Sequence, residues 1–198
     1  MTVIAGVDLA PQRPRVVREK SEQEGHILEP EWSGTRALVR VGHGEPRFVG
    51  YAGPVEGPRE LYDAIVSDLQ CGTAIVDGVL TDVEDERELE IDGDGNAFVR
   101  EPKPRTIFAA FDLLEVDGEM LLRVPLLERK RHLESVLKPS PNVRLTAYRS
   151  RDLRAWRETL LEQGFRRAVL KEWNSTYSPG ATNDSWLVVE KIREAGRR

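Results

Sequence analysis

The chain has 198 residues, 39% of them apolar and 32% charged, enough for one large or two small domains with a real core and a well-solvated surface. Its net charge of −5 argues against tight unaided binding to duplex DNA, because Lys and Arg make the phosphate contacts in such complexes. No run of about 18 apolar residues is present to span a membrane, residues 1–8 lack a secretory pattern, and a single cysteine, Cys71, excludes an internal disulfide and fits a reducing cytoplasm.

Residues 9–25 are polar, carry Pro11 and Pro14, and read as the end of an irregular lead-in over residues 1–25; the folded domain is expected over 26–198. Residues 35–41 and 46–51 read as two strands joined by Gly42-His43-Gly44-Glu45. The 58–70 stretch predicts a helix, with Leu61, Ile65 and Leu69 at i, i+4, i+8 on one face and Gly72 after it. Thr73-Ala74-Ile75-Val76 is a short buried strand ending at Asp77-Gly78. Residues 82–106 form a long charged excursion. Residues 107–114 are apolar and extended, and Asp117-Gly118 closes them with a turn. Pro125 opens a helix carrying Leu126, Leu127, Leu133 and Leu137, as its fixed φ and missing N–H allow. A strand over 143–148 follows, then a helix over 152–163 with Leu153, Trp156 and Leu160 inward and Gly164 at its end. Strands over 168–173 and 186–192 are split by a loop at 174–185. Strands and helices mix without a βαβ rhythm, so the expected class is α+β with mainly antiparallel sheets.

Chemistry concentrates in five short segments. Residues 29–41 read Glu29-Pro30-Glu31-Trp32-Ser33-Gly34-Thr35-Arg36 followed by an apolar strand. Val76-Asp77-Gly78-Val79, Phe111-Asp112-Leu113-Leu114, Arg166-Arg167-Ala168-Val169-Leu170-Lys171 and Trp186-Leu187-Val188-Val189-Glu190 follow in that order, with Ser175-Thr176-Tyr177-Ser178-Pro179-Gly180 before the last. In this order they resemble the motifs of the ATP-dependent DNA ligases, and are most similar to the ligase domain of bacterial end-joining ligases. The resemblance runs from residue 29 to 191. It implies an ATP-grasp-like adenylation domain with mainly antiparallel sheets and flanking helices.

The same segments depart from the family where its chemistry lies. The adenylated lysine of Lys-x-Asp-Gly-x-Arg is Glu31, and the motif's aspartate is Ser33. The glutamate of Asp-Gly-Glu is Val79. The Glu-Gly of the fourth motif is Arg166-Arg167, though its lysine survives as Lys171. The two lysines of the fifth are Val188 and Glu190, while Trp186 is kept. Nucleophile, metal carboxylates and phosphate cations are thus replaced together. What the resemblance assigns to the base remains: Glu29 to accept from the adenine amine, Phe111 to stack, Arg36 on the ribose side. The expected nucleotide-binding set is Glu29, Arg36, Phe111, Lys171 and Trp186, with no catalytic residue and no metal ligand. A charge reversal at Glu31 beside a triphosphate matters, since a unit pair at about 4 Å is worth about 4 kcal/mol at an effective dielectric of about 20.

Family ligases continue into an OB-fold carrying a further motif, and with the chain ending at Arg198 no OB-fold domain is expected within it. The expectation is therefore a ligase-like domain that has lost lysine adenylation and works by binding or scaffolding with a DNA-repair protein as partner. Two alternatives stand beside it. One is an active ligase using ATP and Mg²⁺ with an unusual nucleophile, Lys171 the candidate, completed by a partner. The other is a sensor of adenine or adenosine. Elsewhere the sequence reads blandly. Cys71 fills a helix-to-strand turn, and Trp32 and Trp186 are core or pocket wall. Asp92-Gly93-Asp94-Gly95-Asn96 is a surface turn lacking the Gly and Glu that a calcium loop requires. His26, His43 and His132 lack zinc-ligand spacing. Arg193, Arg197 and Arg198 form a solvated end.

Overall fold

The structure, a computed structural model, describes residues 9–18, 24–42, 47–84, 88–91, 93, 97–100 and 104–189. The linking residues Gly44 and Glu45 with His43, most of the Asp92–Asn96 turn, Glu190 and the arginine tail lie outside the described residues. Among the described residues no helix is long and apolar enough to cross a membrane.

The architecture is α+β. A larger sheet holds β3 (Thr35–Val41), β4 (Arg47–Gly50), β5 (Gly53–Val55), β6 (Ala74–Glu84), β9 (Pro104–Val116) and β10 (Glu119–Met120) in the order β10-β9-β6-β3-β4-β5, with β11 (Val143–Leu145) beside β9. A four-stranded sheet holds β1 (Arg13–Val17), β2 (His26–Pro30), β12 (Ala168–Glu172) and β13 (Thr182–Val189) in the order β1-β13-β12-β2. β7 (Glu88–Ile91) and β8 (Ala97–Arg100) form a separate hairpin. All pairings are antiparallel except β1 with β13 and β11 with β9.

One apolar cluster joins α1 (Arg59–Asp68) and α2 (Leu126–Val136) to the larger sheet through Leu61, Ile65, Val76, Phe108, Leu113 and Leu133. A second lies between the two sheets and includes Ile27, Leu38, Val79, Phe111, Leu114 and Trp186. A third packs α3 (Leu153–Glu162) on the four-stranded sheet through Leu153, Leu160, Leu170 and Leu187. The predicted inward faces of α1 and α3 are therefore the buried ones, and the Trp156 indole donates to the Leu28 carbonyl at 3.0 Å. Cys71 packs beside the first cluster as a free thiol.

Several stretches differ from the sequence expectation: the last strand begins at Thr182, inside the loop expected at 174–185, and β11 ends at Leu145 rather than 148. The lead-in is not irregular throughout: residues 13–17 form β1, an edge strand, where prolines such as Pro14 are tolerated because no inner ladder needs their N–H. Gln12 just before it is fully buried, its N–H donating to the Tyr177 hydroxyl at 2.8 Å. The strand expected to stop at Asp77-Gly78 runs on to Glu84, because β9 pairs along its whole length and a register shift at Asp77/Gly78 absorbs the irregularity. Much of the charged excursion is thus the outer end of β6 and β9 plus the β7–β8 hairpin. Residues 26–30 form a wholly buried strand that the polar His26 and Glu29 concealed.

Two motif glycines are dictated by close approach. A Cβ on Gly34, at φ +148°, would stand 2.1 Å from the Leu80 carbonyl oxygen. One on Gly78 would meet the Phe108 ring at 2.4 Å. Both hold strands of the larger sheet tightly together below the cleft between the sheets.

Candidate functional site

Strand periodicity builds one wall of the cleft. On β12, Lys171 is in register with Ile27 of β2 and Trp186 of β13, and Val169 is in register with Glu29 and Val188. Residues two apart share a face, so Glu29, Val169, Lys171, Trp186 and Val188 point the same way. β3 and β9 supply Arg36 and Phe111 from the other sheet. All five residues expected at a nucleotide site border one cavity of about 540 Å³, together with Glu31 and Trp32.

The floor of that cavity is a buried charge cluster. Glu29 is ion-paired through one oxygen with Lys130 and through the other with Lys171 at 2.7 Å. Burial alone would raise the Glu29 carboxyl, but the two ammonium groups outweigh it and hold the carboxyl below its ordinary value. Lys130 also donates to the Phe111 carbonyl at 2.9 Å. Lys171 sits 4.1 Å from the Phe111 ring centroid and 4.0 Å from that of Trp186. Burial, only partly offset by Glu29, lowers its amine to about 8. The carboxylate that the resemblance assigns to an adenine amine is thus already engaged at both oxygens.

Arg36 is equally committed. Its Nε and Nη2 donate to Asp77 at 2.6 and 2.7 Å, a fork-to-fork pair. The Tyr177 hydroxyl donates to the same carboxylate at 2.6 Å. The guanidinium lies 4.2 Å from the Phe111 centroid. With two cations over it and 5% of its surface exposed, Phe111 has little open face for a base. Asp112, opposite Asp77 across the β6–β9 ladder, holds Arg129 at 2.9 and 2.8 Å in a pair with no exposure on either side. Arg129 further donates to the Ser175 carbonyl at 3.1 Å. Each of two facing carboxylates therefore has its own arginine, which removes the repulsion that the register would impose.

At the position that the resemblance assigns to the family's lysine, Glu31 pairs with Arg167, Oε2 to Nε, at 2.8 Å. Burial raises the Glu31 carboxyl above its ordinary value and Arg167 only partly offsets it. Val79, Val169 and Val188 line the same cavity as apolar wall. A second cavity of about 590 Å³ begins beyond Glu31, Trp32 and Gly34 and carries Ser33, Arg166 and Arg167. The positions that the resemblance assigns to metal carboxylates hold a hydroxyl, an alkyl group and a cation. That set does not fit a hard divalent ion, which needs several oxygen ligands.

The profile of the ATP dependent DNA ligase domain matches residues 12–189. The chain belongs to that family. The multifunctional non-homologous end joining protein LigD of Mycolicibacterium smegmatis is 28% identical over 173 residues, covering 87% of this chain and 22% of that protein. DNA ligase 4 of Eremothecium gossypii is 37% identical over 95 residues, 46% of this chain and 10% of that one. Among solved structures, the ligase domain of M. tuberculosis LigD matches with a TM-score of 0.67 at 22% identity, over 91% of this chain and 58% of that chain. A mycobacterial DNA ligase D complexed with ATP and MES matches with a TM-score of 0.66 at 22% identity, over 92% and 60%. The chain spans about a fifth of the curated end-joining relative and under two thirds of these structures. The domain is thus a ligase-like nucleotidyltransferase fold.

Sequence reasoning missed Lys130, Arg129, Tyr177 and the Arg167 partner of Glu31. Arg129 and Lys130 follow Pro125 on a helix whose leucines seemed to define its inward face, and buried cations are rare unless paired. Their signal was present only in Glu29 and Asp112, two motif carboxylates needing partners.

Proposed function

We propose that this ligase-family domain no longer forms a lysyl adenylate and acts by binding, as a pseudoenzyme within DNA repair. One observation carries this reading. Glu31 stands where the amine would attack, and Lys171, the cavity's lysine among the described residues, is held by Glu29 between two rings. Attack on an α-phosphate needs a free lone pair aimed at phosphorus. A committed ammonium at the cavity floor supplies neither. The apolar Val79 and Val188 offer the leaving pyrophosphate no charge stabilisation, and Mg²⁺ has no fitting ligand set. The end-joining relatives support a DNA-repair protein as the class of partner, with weak or no unaided DNA binding given the net charge of −5. The lone reduced cysteine is consistent with a cytoplasmic setting.

A second reading has one observation in its favour. Lys171, lowered to about 8, carries more free amine at neutral pH than an ordinary lysine. On that reading the chain is an active ATP- and Mg²⁺-dependent nucleotidyltransferase with a displaced nucleophile.

Incubation with α-labelled ATP and Mg²⁺, followed by intact-mass measurement, separates the two. The expected result is no AMP adduct on folded protein. An adduct that maps to Lys171 and disappears in Lys171→Ala would overturn the proposal and establish the second reading.

A further inference from the structure

The cavity's charged side chains are already matched: Lys171 by Glu29, Arg36 by Asp77, and Glu31 by Arg167. The rest of its lining is largely apolar: Val55 and Val79 on the larger sheet, and Val169 and Val188 beside Lys171 on the four-stranded one. Two more rings border it: Tyr51, 40% exposed with the Arg13 guanidinium 4.9 Å from its centroid, and the half-buried Trp32.

We propose that this cavity takes an uncharged heteroaromatic molecule of nucleoside size and discriminates against its phosphorylated forms. The proposal rests on the loss of adenylation and adds a ligand class to it. A volume of about 540 Å³ falls inside the range of roughly 300–1,000 Å³ typical of small-molecule sites. A flat uncharged ring gains by burial against valine, Tyr51 and Trp32. A phosphate against Val79 or Val188 would lose its water without gaining a donor, which is costly for a charge. Arg166 and Arg167 lie in the adjoining cavity, yet Glu31 borders both spaces and its carboxylate already holds Arg167. An anion spanning the two spaces therefore lies against that carboxylate.

The test is calorimetric titration of the intact chain with adenosine, AMP and ATP, without Mg²⁺ so that binding is read apart from chemistry. The expected order is adenosine tightest, AMP next and ATP weakest, with about tenfold or more between the ends. Val188→Lys should reverse the order by placing an unpaired cation in the apolar part of the lining. Val188 is buried, so that variant could fail to fold; Glu31→Gln, at a partly open position, carries the same arm and should narrow the gap between adenosine and ATP several-fold. ATP binding as tightly as adenosine, or no saturable heat with adenosine, overturns the proposal. An AMP adduct in the mass experiment overturns the loss of adenylation instead, so the two failures are told apart.

Discussion

The floor of the cleft and its mouth use charge in opposite ways. On the floor, Glu29 is shared between two buried ammonium groups, and Asp112–Arg129, outside the cavity lining, has no exposure. At the mouth, Glu31–Arg167 keeps water on both partners, with 25% and 41% of the side chains exposed. Buried charges must be paired and stay paired, whereas half-open ones tolerate replacement. The residues that lost the family's identity, Glu31, Ser33, Val79, Arg166 and Val188, border the two cavities. The retained ones, Glu29, Asp77, Asp112 and Lys171, are locked into the fold. Retention of the base-side residues is therefore explained by folding, whatever ligand the cavity takes.

The strongest way to break this contrast is at Asp112. Asp112→Ala leaves the Arg129 guanidinium buried without its carboxylate and should cost about 3–5 kcal/mol in urea unfolding. The double variant Asp112→Leu with Arg129→Met should recover part of that. Full recovery is not expected, because the Leu113 N–H, at 2.9 Å from Asp112, and the Ser175 carbonyl lose partners too. If Asp112→Ala changed the midpoint no more than a surface variant, the floor would not be the lock described here.

The Glu29 cluster sharpens the point by asymmetry. Glu29→Gln leaves two buried ammonium groups facing a neutral amide and should cost about 3 kcal/mol. Lys171→Met leaves Glu29 paired with Lys130 and puts a thioether against Phe111 and Trp186, so about 1 kcal/mol is expected. Equal costs would mean that Lys130 does not hold Glu29 by itself.

Local pattern made the frame readable. Phe111-Asp112-Leu113-Leu114 and the Trp186 segment are strands with a period of two, and that period alone places Val188 on the face of Trp186. The cavity residues were legible because the motif order was kept. Their partners were not, because they lie far off in sequence: Arg36 and Asp77 are 41 residues apart, and Tyr177 reaches Asp77 across 100. Nothing in the spacing of a helix says which lysine will be drawn inward to a carboxylate on a strand. β2 was missed for a related reason. A strand carrying His26 and Glu29 does not read as wholly buried until the ammonium groups that pair Glu29 are known.

The pH dependence follows from Lys171. Its amine sits at about 8 in the folded chain against 10.5 ordinarily, with burial the first cause. Between those values the unfolded chain binds the extra proton, so this group's contribution to stability rises with pH from about 8 to 10.5. Below about 8 the full cost of burying the ammonium is present. Tyrosines such as Tyr177, whose hydroxyl burial raises, act in the opposite direction at high pH. The difference between the parent chain and Lys171→Met isolates the lysine. Stability measured for both from pH 7 to 10 should show the parent gaining on the variant, and parallel curves would mean that Lys171 titrates as if exposed.

The smallest effect belongs to the mouth. Arg167→Ala removes one partner of a pair that water still reaches, so a loss under about 1 kcal/mol is expected. Glu31→Gln should stay within about 0.5 kcal/mol of the parent at pH 7, because a carboxyl already raised by burial gives up little when it becomes an amide. Its consequence should be in the ligand ranking, where removing the carboxylate lets a phosphate approach. A small stability change with a clear change in ATP binding is the signature of a position released from folding constraints. A large stability loss at Glu31 would instead place it with Asp112 and Glu29, and the division between floor and mouth would fail.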